Sequence, residues 1–427
     1  MANDLAAAPT VTTTAAPLHG SRAPYRWVAL GLCFVAYMVA YMPRLGLAPL
    51  APFLKDDLHL TKAQVGLLLS AVTAGYSIFL IPAGLICDRW GVRWTLVAGQ
   101  LAGGLFLLGM PFVHGLNSAM IVMFGVGLGL GFISPATAKG IVDWFSQRER
   151  ATALGMKQMS LNAAGIITAS ALPAVAIRSG WRVGFAVMGA VAIASGVLSA
   201  VAYRDVVPGA TEAPRAGAPT AATRSVSALL SALASRDVLL LFVAVAFYYI
   251  AEMGVLTYFV LYLKGQLLVP VVAAGFLLGA VDVGGLFGKP LAGFVSDRFF
   301  HGKRKGTLVG ILGGTTLFAA VFALLPAGTP QWLILVCSVA FGLVAMAFGG
   351  VYYAMLSEFV GREHAATAIG AATVVMMLCA MVGIPLFGHI SDVTGSWTWS
   401  WIYLTSVSAV STVAACFVRE ERKRLQG

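Results

Sequence analysis

The sequence predicts an all-α membrane protein of twelve transmembrane helices in two pseudo-symmetric six-helix bundles. Three observations carry that prediction. Of 427 residues, 59% are hydrophobic and only 11% charged. The apolar residues gather in blocks of about 20, the length that crosses a hydrocarbon core of about 30 Å at about 1.5 Å per residue. Short charged signatures then recur after about 210 residues, as expected of an internal duplication.

Taken in order, the blocks run over residues 27–51, 65–87, 95–113, 119–142, 152–177, 185–202, 239–263, 269–295, 307–325, 332–356, 366–387 and 397–417. Lys, Arg, Asp and Glu cluster between them, as in 88–93, 148–150 and 297–305, because charge is costly inside a bilayer. The long polar stretch, with Pro208, Pro214 and Pro219, separates the halves and reads as a linker. The expected organisation is a cytoplasmic tail over 1–26, a first bundle over 27–203, a linker over 204–236, a second bundle over 237–418 and a tail over 419–427.

Orientation follows from the basic residues. With both termini cytoplasmic, most of the 28 Lys and Arg fall in inner loops and tails, leaving Lys55, Lys62, Arg178, Arg182 and Lys264 outside and Arg44, Lys139, Lys157 and Lys289 within spans. The net charge of +11 therefore reads as topology, and no motif supports nucleic-acid binding. The first 21 residues hold no Lys or Arg before Arg22 and so lack the basic start of a cleavable signal peptide. Cys33, Cys87, Cys337, Cys379 and Cys416 are scattered through apolar blocks and read as packing, with no disulfide framework or metal site. The glycines from Gly125 to Gly131 lie inside a span and read as close helix packing, as do Gly275 with Gly279 and Gly284 with Gly288. No Walker loop, metal-ligand cluster or nucleophile–base pair appears, which speaks against an enzyme, a pump or a cofactor.

Gly84-Leu-Ile-Cys-Asp88-Arg89-Trp-Gly91-Val-Arg93 in the first half answers Gly293-Phe-Val-Ser-Asp297-Arg298 in the second, and Phe145-Ser-Gln-Arg148-Glu149-Arg150 answers Phe359-Val-Gly-Arg362-Glu363-His364. This duplicated pattern, over residues 27–418, resembles the major facilitator superfamily and implies its fold. The resemblance gives Asp88, Arg89 and Arg93, with Asp297 and Arg298, the role of a cytoplasmic charge latch that gates alternating access. The same charges also serve simple positive-inside anchoring.

A narrower resemblance lies in Tyr41-Met-Pro-Arg44, followed by Ala48 and Pro52, and in Tyr249-Ile-Ala-Glu252-Met-Gly254 of the seventh block. These are similar to the organophosphate:phosphate antiporters and the anion:cation symporters, in which the arginine of the first span contacts the anion. Two departures matter. Glu252 stands where the antiporters carry a second arginine, and Pro43 where many of the symporters carry Asp. Arg44 beside an ionised Glu252 supplies too little positive charge for a phosphate dianion, so organophosphate exchange is demoted.

Arg44 stands in the outer part of the first span, where it either snorkels to the surface or offers a bidentate fork to an anion. Glu252 and Asp282 lie near the middle of apolar blocks, a costly placement. Glu252 either neutralises Arg44 as a structural ion pair or, on protonation, frees it for substrate; Asp282 is either a proton carrier or a neutral structural acid. Lys289 resembles, as Lys289-Pro290 with Gly293, the R-P-x-x-G anion site of nitrate, oxalate and monocarboxylate carriers, or it snorkels. Lys139 and Lys157 serve gating or snorkelling. Tyr37, Tyr41, Tyr76, Tyr248, Tyr249, Tyr352 and Tyr353 are candidate hydrogen-bonding walls, each with a packing alternative, and Gln158 and Asn162 are further polar candidates.

The expected function is a secondary active transporter, a proton-coupled symporter that takes up a small organic anion such as a monocarboxylate, sulfonate or zwitterionic acid. Its substrate site combines Arg44, Tyr41, Tyr248, Tyr249, Glu252, Tyr352 and Tyr353, and Glu252 and Asp282 couple protons. The alternative is a proton-driven exporter of hydrophobic or cationic compounds, with an organophosphate exchanger or a transporter-like ligand sensor behind it. Protons, the anion and the lipid bilayer are the expected partners of a monomer in the bacterial inner membrane, with no nucleic acid, metal or cofactor.

Overall fold

The computed structural model describes residues 24–145, 149–205, 235–300, 303–360 and 365–419, without the side chains of 150–152, 297 and 365–367. The expected tails and linker lie, apart from their margins, outside the described residues, as do Arg148, Arg362, Glu363 and His364 of the repeated signature.

Among the described residues the chain forms twelve α-helices and one 3-10 turn, with no strand. The first half comprises α1 (Tyr25–Asp57), α2 (Lys62–Leu108), the turn Met110–Phe112, α3 (Leu116–Trp144), α4 (Arg150–Ser179) and α5 (Trp181–Ala202). The second comprises α6 (Arg236–Gly265), α7 (Val271–Arg298), α8 (Arg304–Leu324), α9 (Gln331–Ala345), α10 (Phe348–Val360), α11 (Ala365–Thr394) and α12 (Trp397–Phe417). Eleven segments are long and apolar enough to cross a membrane. One of them, Lys62–Phe112, has 51 residues, about twice what a crossing needs, and is broken at Gly91 (φ 80°, ψ 172°), so the crossings among the described residues number twelve. Residues α9 and α10 cover form a single crossing interrupted at Met346 and Ala347.

The turn at Gly91 is tighter than the seven-residue gap in the apolar pattern suggests. Asp205, just beyond α5, accepts the backbone N–H groups of Val92 (2.8 Å) and Arg93 (3.1 Å), while the Arg93 side chain donates to the Ala200 carbonyl. These bonds satisfy the first free N–H groups of the second arm of α2, and a positive φ suits glycine.

Close packing holds the bundles together. A Cβ added at Gly127 of α3 would strike the Val72 carbonyl of α2, and one at Gly284 or Gly288 of α7 would strike carbonyls of Val339 or Leu343 on α9. Small residues let backbones approach where lipid supplies no hydrophobic drive. The outer faces remain apolar and exposed, as at Ile81, Phe112 and Val201, a surface suited to hydrocarbon.

In the first half Arg204 N–H donates to the Tyr25 hydroxyl, and in the second Arg419 N–H donates to Asp237, so each half begins and ends at one end of the molecule, the terminal end. At the opposite, distal end the halves are stitched together. Asp392 of α11 accepts from the N–H groups of Lys62 (3.1 Å) and Ala63 (2.9 Å) at the start of α2. The Lys62 ammonium donates to Ser391 Oγ (2.7 Å) and lies over the Trp397 ring, and Tyr258 Oη donates to the Lys62 carbonyl (2.9 Å).

Candidate functional site

The halves meet through α2 against α11, α4 against α7 and α1 against α6. Arg44 sits on α1 between Pro43 and Pro49 and is half-buried. Its Nη2 donates to Tyr249 Oη of α6 (3.1 Å) and lies 3.9 Å from Met253 Sδ, one turn further along the same helix. A cavity of about 30 Å³ adjoins these groups, lined by Arg44, Ala48, Leu69, Gly165, Met253, Thr257, Leu278 and Asp282. That volume holds about one water.

Both mid-membrane acids are inside. Glu252 is 6% exposed, and its Oε2 has no hydrogen-bond partner. Lys289, Arg44 and Asp282 lie within its electrostatic reach. Arg44 and Glu252 form no ion pair: among the described residues none of Arg44, Lys157, Glu252, Asp282 and Lys289 comes within salt-bridge distance of an opposite charge. Asp282, also 6% exposed, points from α7 at Gly165 of α4, where an added Cβ would overlap its carboxylate. Asn162, one turn before Gly165 on the same face of α4, donates from Nδ2 to the Asp282 carbonyl (3.2 Å) and accepts at Oδ1 from Lys289 Nζ (2.7 Å). A cross-seam cluster of two cations, two buried acids and one amide results.

The tyrosines divide. Tyr249 and Tyr353 are half-buried near the centre, Tyr249 on Arg44. Tyr248 and Tyr352, at 0% and 1% exposure, turn into the second half's core around Phe348, and their hydroxyls have no partner. Tyr41 accepts from Tyr37 Oη at 3.3 Å, and Tyr76 donates to Ser134 (3.3 Å). Lys157 is buried with its ammonium 3.8 Å from the Tyr37 ring centroid, while Gln158 is exposed.

At the terminal end Asp88 pairs with Lys139 of α3 (2.6 Å), within its own half. Arg89 is exposed, and Arg93 is bound to the end of α5. Arg298 is exposed at the end of α7; the side chain of Asp297 lies outside the described ones. In the second half Arg304 donates to Ser296 Oγ (3.0 Å) and lies 3.6 Å from Glu358. Sequence reasoning overlooked Asp205 and Asp392, whose roles depend on remote backbone, and ranked Asn162 low. The spacing of Asn162 and Gly165, three apart on one helical face, was the available signal.

The family model described as Major Facilitator Superfamily matches residues 33–299 and 241–427. The hexuronate transporter of Bacillus subtilis is 28% identical over 401 residues, covering 90% of this chain and 93% of its own. The probable sulfoacetate transporter SauU of Cupriavidus necator is 24% identical, covering 92% and 94%. The membrane sensor protein UhpC of Salmonella typhimurium is 26% identical, covering 90% and 87%. Among solved structures, a bacterial homolog of the human lysosomal transporter Spinster, inward-facing and unoccupied, superposes with a TM-score of 0.77 at 18% identity over 92% of this chain and 97% of that one. The nucleoside transporter NupG (D323A mutant) gives 0.74 at 13% identity over 92% and 100%; at such identities these two likenesses show the fold alone. The whole apolar length of the chain is thus accounted for, and the protein belongs to the Major Facilitator Superfamily, as a non-enzymatic, multi-pass membrane transporter.

Proposed function

We propose that the protein is a proton-coupled importer of a small organic anion, with sugar acids and short sulfonates the first candidates. One observation carries this reading: among the described residues the Arg44 guanidinium meets a phenol and a thioether across the seam and no carboxylate, so its charge is available to an anion. A guanidinium matches the two oxygens of a carboxylate or sulfonate, and its charge is permanent. Relatives named for hexuronate, sulfoacetate and L-galactonate transport support an anionic cargo. Tyr249, Tyr353 and Tyr41 supply hydroxyls around the fork, with Tyr248 and Tyr352 packing behind them.

Glu252 and Asp282 are the proton carriers. Each is buried without a paired cation, and a proton removes the cost of a buried charge. With the terminal end facing the cytoplasm of a bacterial inner membrane, the distal stitching closes the outside. Asp88, Arg89 and Arg93, with Asp297 and Arg298, form the opposing inner gate. The working unit is a monomer.

The test is uptake of radiolabelled D-glucuronate and sulfoacetate into proteoliposomes under an imposed inward proton gradient, with acidification of the lumen followed by a trapped dye. Accumulation that collapses with a protonophore supports the reading. Binding without flux would assign the chain instead to the sensor type represented by UhpC.

A further inference from the structure

Asn162 makes its side-chain bonds across the seam. It stands on α4 of the first half, and its partners, the Asp282 backbone carbonyl (3.2 Å), Met346 Sδ (3.5 Å) and Lys289 Nζ (2.7 Å), belong to the second, as does the Asp282 carboxyl, toward which the amide also donates. The bond to the ammonium fixes the amide's orientation, since only the oxygen can accept from Lys289. Asn162 is itself 2% exposed.

Lys289 has alternatives in its own half. Asp282 lies two helical turns earlier on roughly the same face of α7, Glu252 faces from α6, and both act electrostatically on Lys289. The other charged or titratable groups nearby are Arg44 from α1, Tyr248 and Tyr249 from α6 and Tyr353 from α10. Asp282 and Glu252 travel with Lys289 whatever the first half does; Asn162 does not. The Asn162–Lys289 bond also lies on the terminal side of the midpoints of α4 and α7, so it breaks when that end opens and persists when the distal end opens.

We propose that Asn162 is a positioning residue for proton release: while α4 and α7 touch, it keeps the Lys289 ammonium beyond ion-pair distance of Glu252 and Asp282, and opening at the terminal end lets that ammonium close on them. A nearby cation favours the ionised carboxylate. The acids therefore keep their protons until the terminal end opens, then lose them to water on that side as the Lys289 ammonium closes on them. This rests on the two acids being the proton carriers, and it adds what times the release.

The test needs no substrate. The protonated-carboxyl infrared band of the purified full-length protein is followed against pH, and Glu252→Gln and Asp282→Asn assign its intensity. Asn162→Leu frees Lys289 in every state, so the assigned band at neutral pH falls to half of wild type or less. In a Lys289→Gln background, adding Asn162→Leu produces no fall, since the amide it removes only favours the ionised Asp282; Asn162→Ala, which deletes the amide without adding bulk, reads the same comparison if the Leu variant fails to fold. An unchanged band in the Asn162 variant, or an equal fall with and without Lys289, overturns the positioning role. Absence of any assigned band in wild type overturns the carrier reading itself.

Discussion

The carboxylate of Asp392, near the end of α11, closes the start of α2 by accepting the backbone N–H of Lys62 at 3.1 Å, with that of Ala63 at 2.9 Å alongside. An anion at a helix N-terminus, bonded to otherwise orphaned donors, is worth about 1–2 kcal/mol. Here the anion and the helix belong to different halves, so that energy favours one conformation of the transporter.

Asp392→Ala is therefore expected to shift the population toward distal-open forms by roughly 5–30-fold. The check is alkylation of a cysteine introduced at Thr257, in the central cavity, by a membrane-impermeant reagent added from outside. Its rate rises in the Ala variant; an unchanged rate would mean that the remaining distal contacts suffice.

Asp88→Asn removes the pair with Lys139, but both side chains are partly exposed, at 68% and 34%, and such pairs contribute about 0–1 kcal/mol. Thermal stability should stay within a few degrees of wild type, while the same introduced cysteine becomes more accessible from the terminal end. A large drop in melting temperature with unchanged accessibility would make Asp88 a structural residue rather than part of a gate.

Glu252→Gln replaces a buried carboxyl by a neutral group of the same shape. Folding and exchange between preloaded vesicles should survive, whereas accumulation driven by a proton gradient should fall at least tenfold. Full accumulation by this variant, measured beside Asp282→Asn, would leave Asp282 as the sole carrier or exclude both.

Gly165→Ala puts a Cβ into the Asp282 carboxylate, so that side chain must swing away or α4 must move off α7. Overpacking of this kind costs about 1–3 kcal/mol. Reduced thermal stability together with lost uptake is expected; Gly165→Ala with wild-type values of both would show that the seam yields there.

Much of this was legible in the sequence because the bilayer is a severe solvent. A span must be a long apolar run, so twelve blocks could be counted, and an acid inside such a run, Glu252 or Asp282, is conspicuous by its cost. Which face a residue presents was harder, since apolar residues surround each span on all sides and no amphipathic stripe marks the interior. The pairs Tyr248-Tyr249 and Tyr352-Tyr353 could be expected to point two ways, but not which ring would turn into the core. Contacts that join remote backbone, such as Asp205 closing the Gly91 turn and Asp392 capping α2, leave no local pattern at all. Asn162 is an ordinary polar residue until α4 and α7 are brought together.

The central claim is that Arg44 holds the anion. Initial uptake of D-glucuronate and sulfoacetate by Arg44→Lys, at matched protein density in proteoliposomes, tests it most directly. Lysine keeps the charge but loses the planar two-donor fork, so transport of whichever anion the wild type carries should fall at least tenfold. Uptake equal to wild type would contradict the claim and reduce Arg44 to an interfacial anchor.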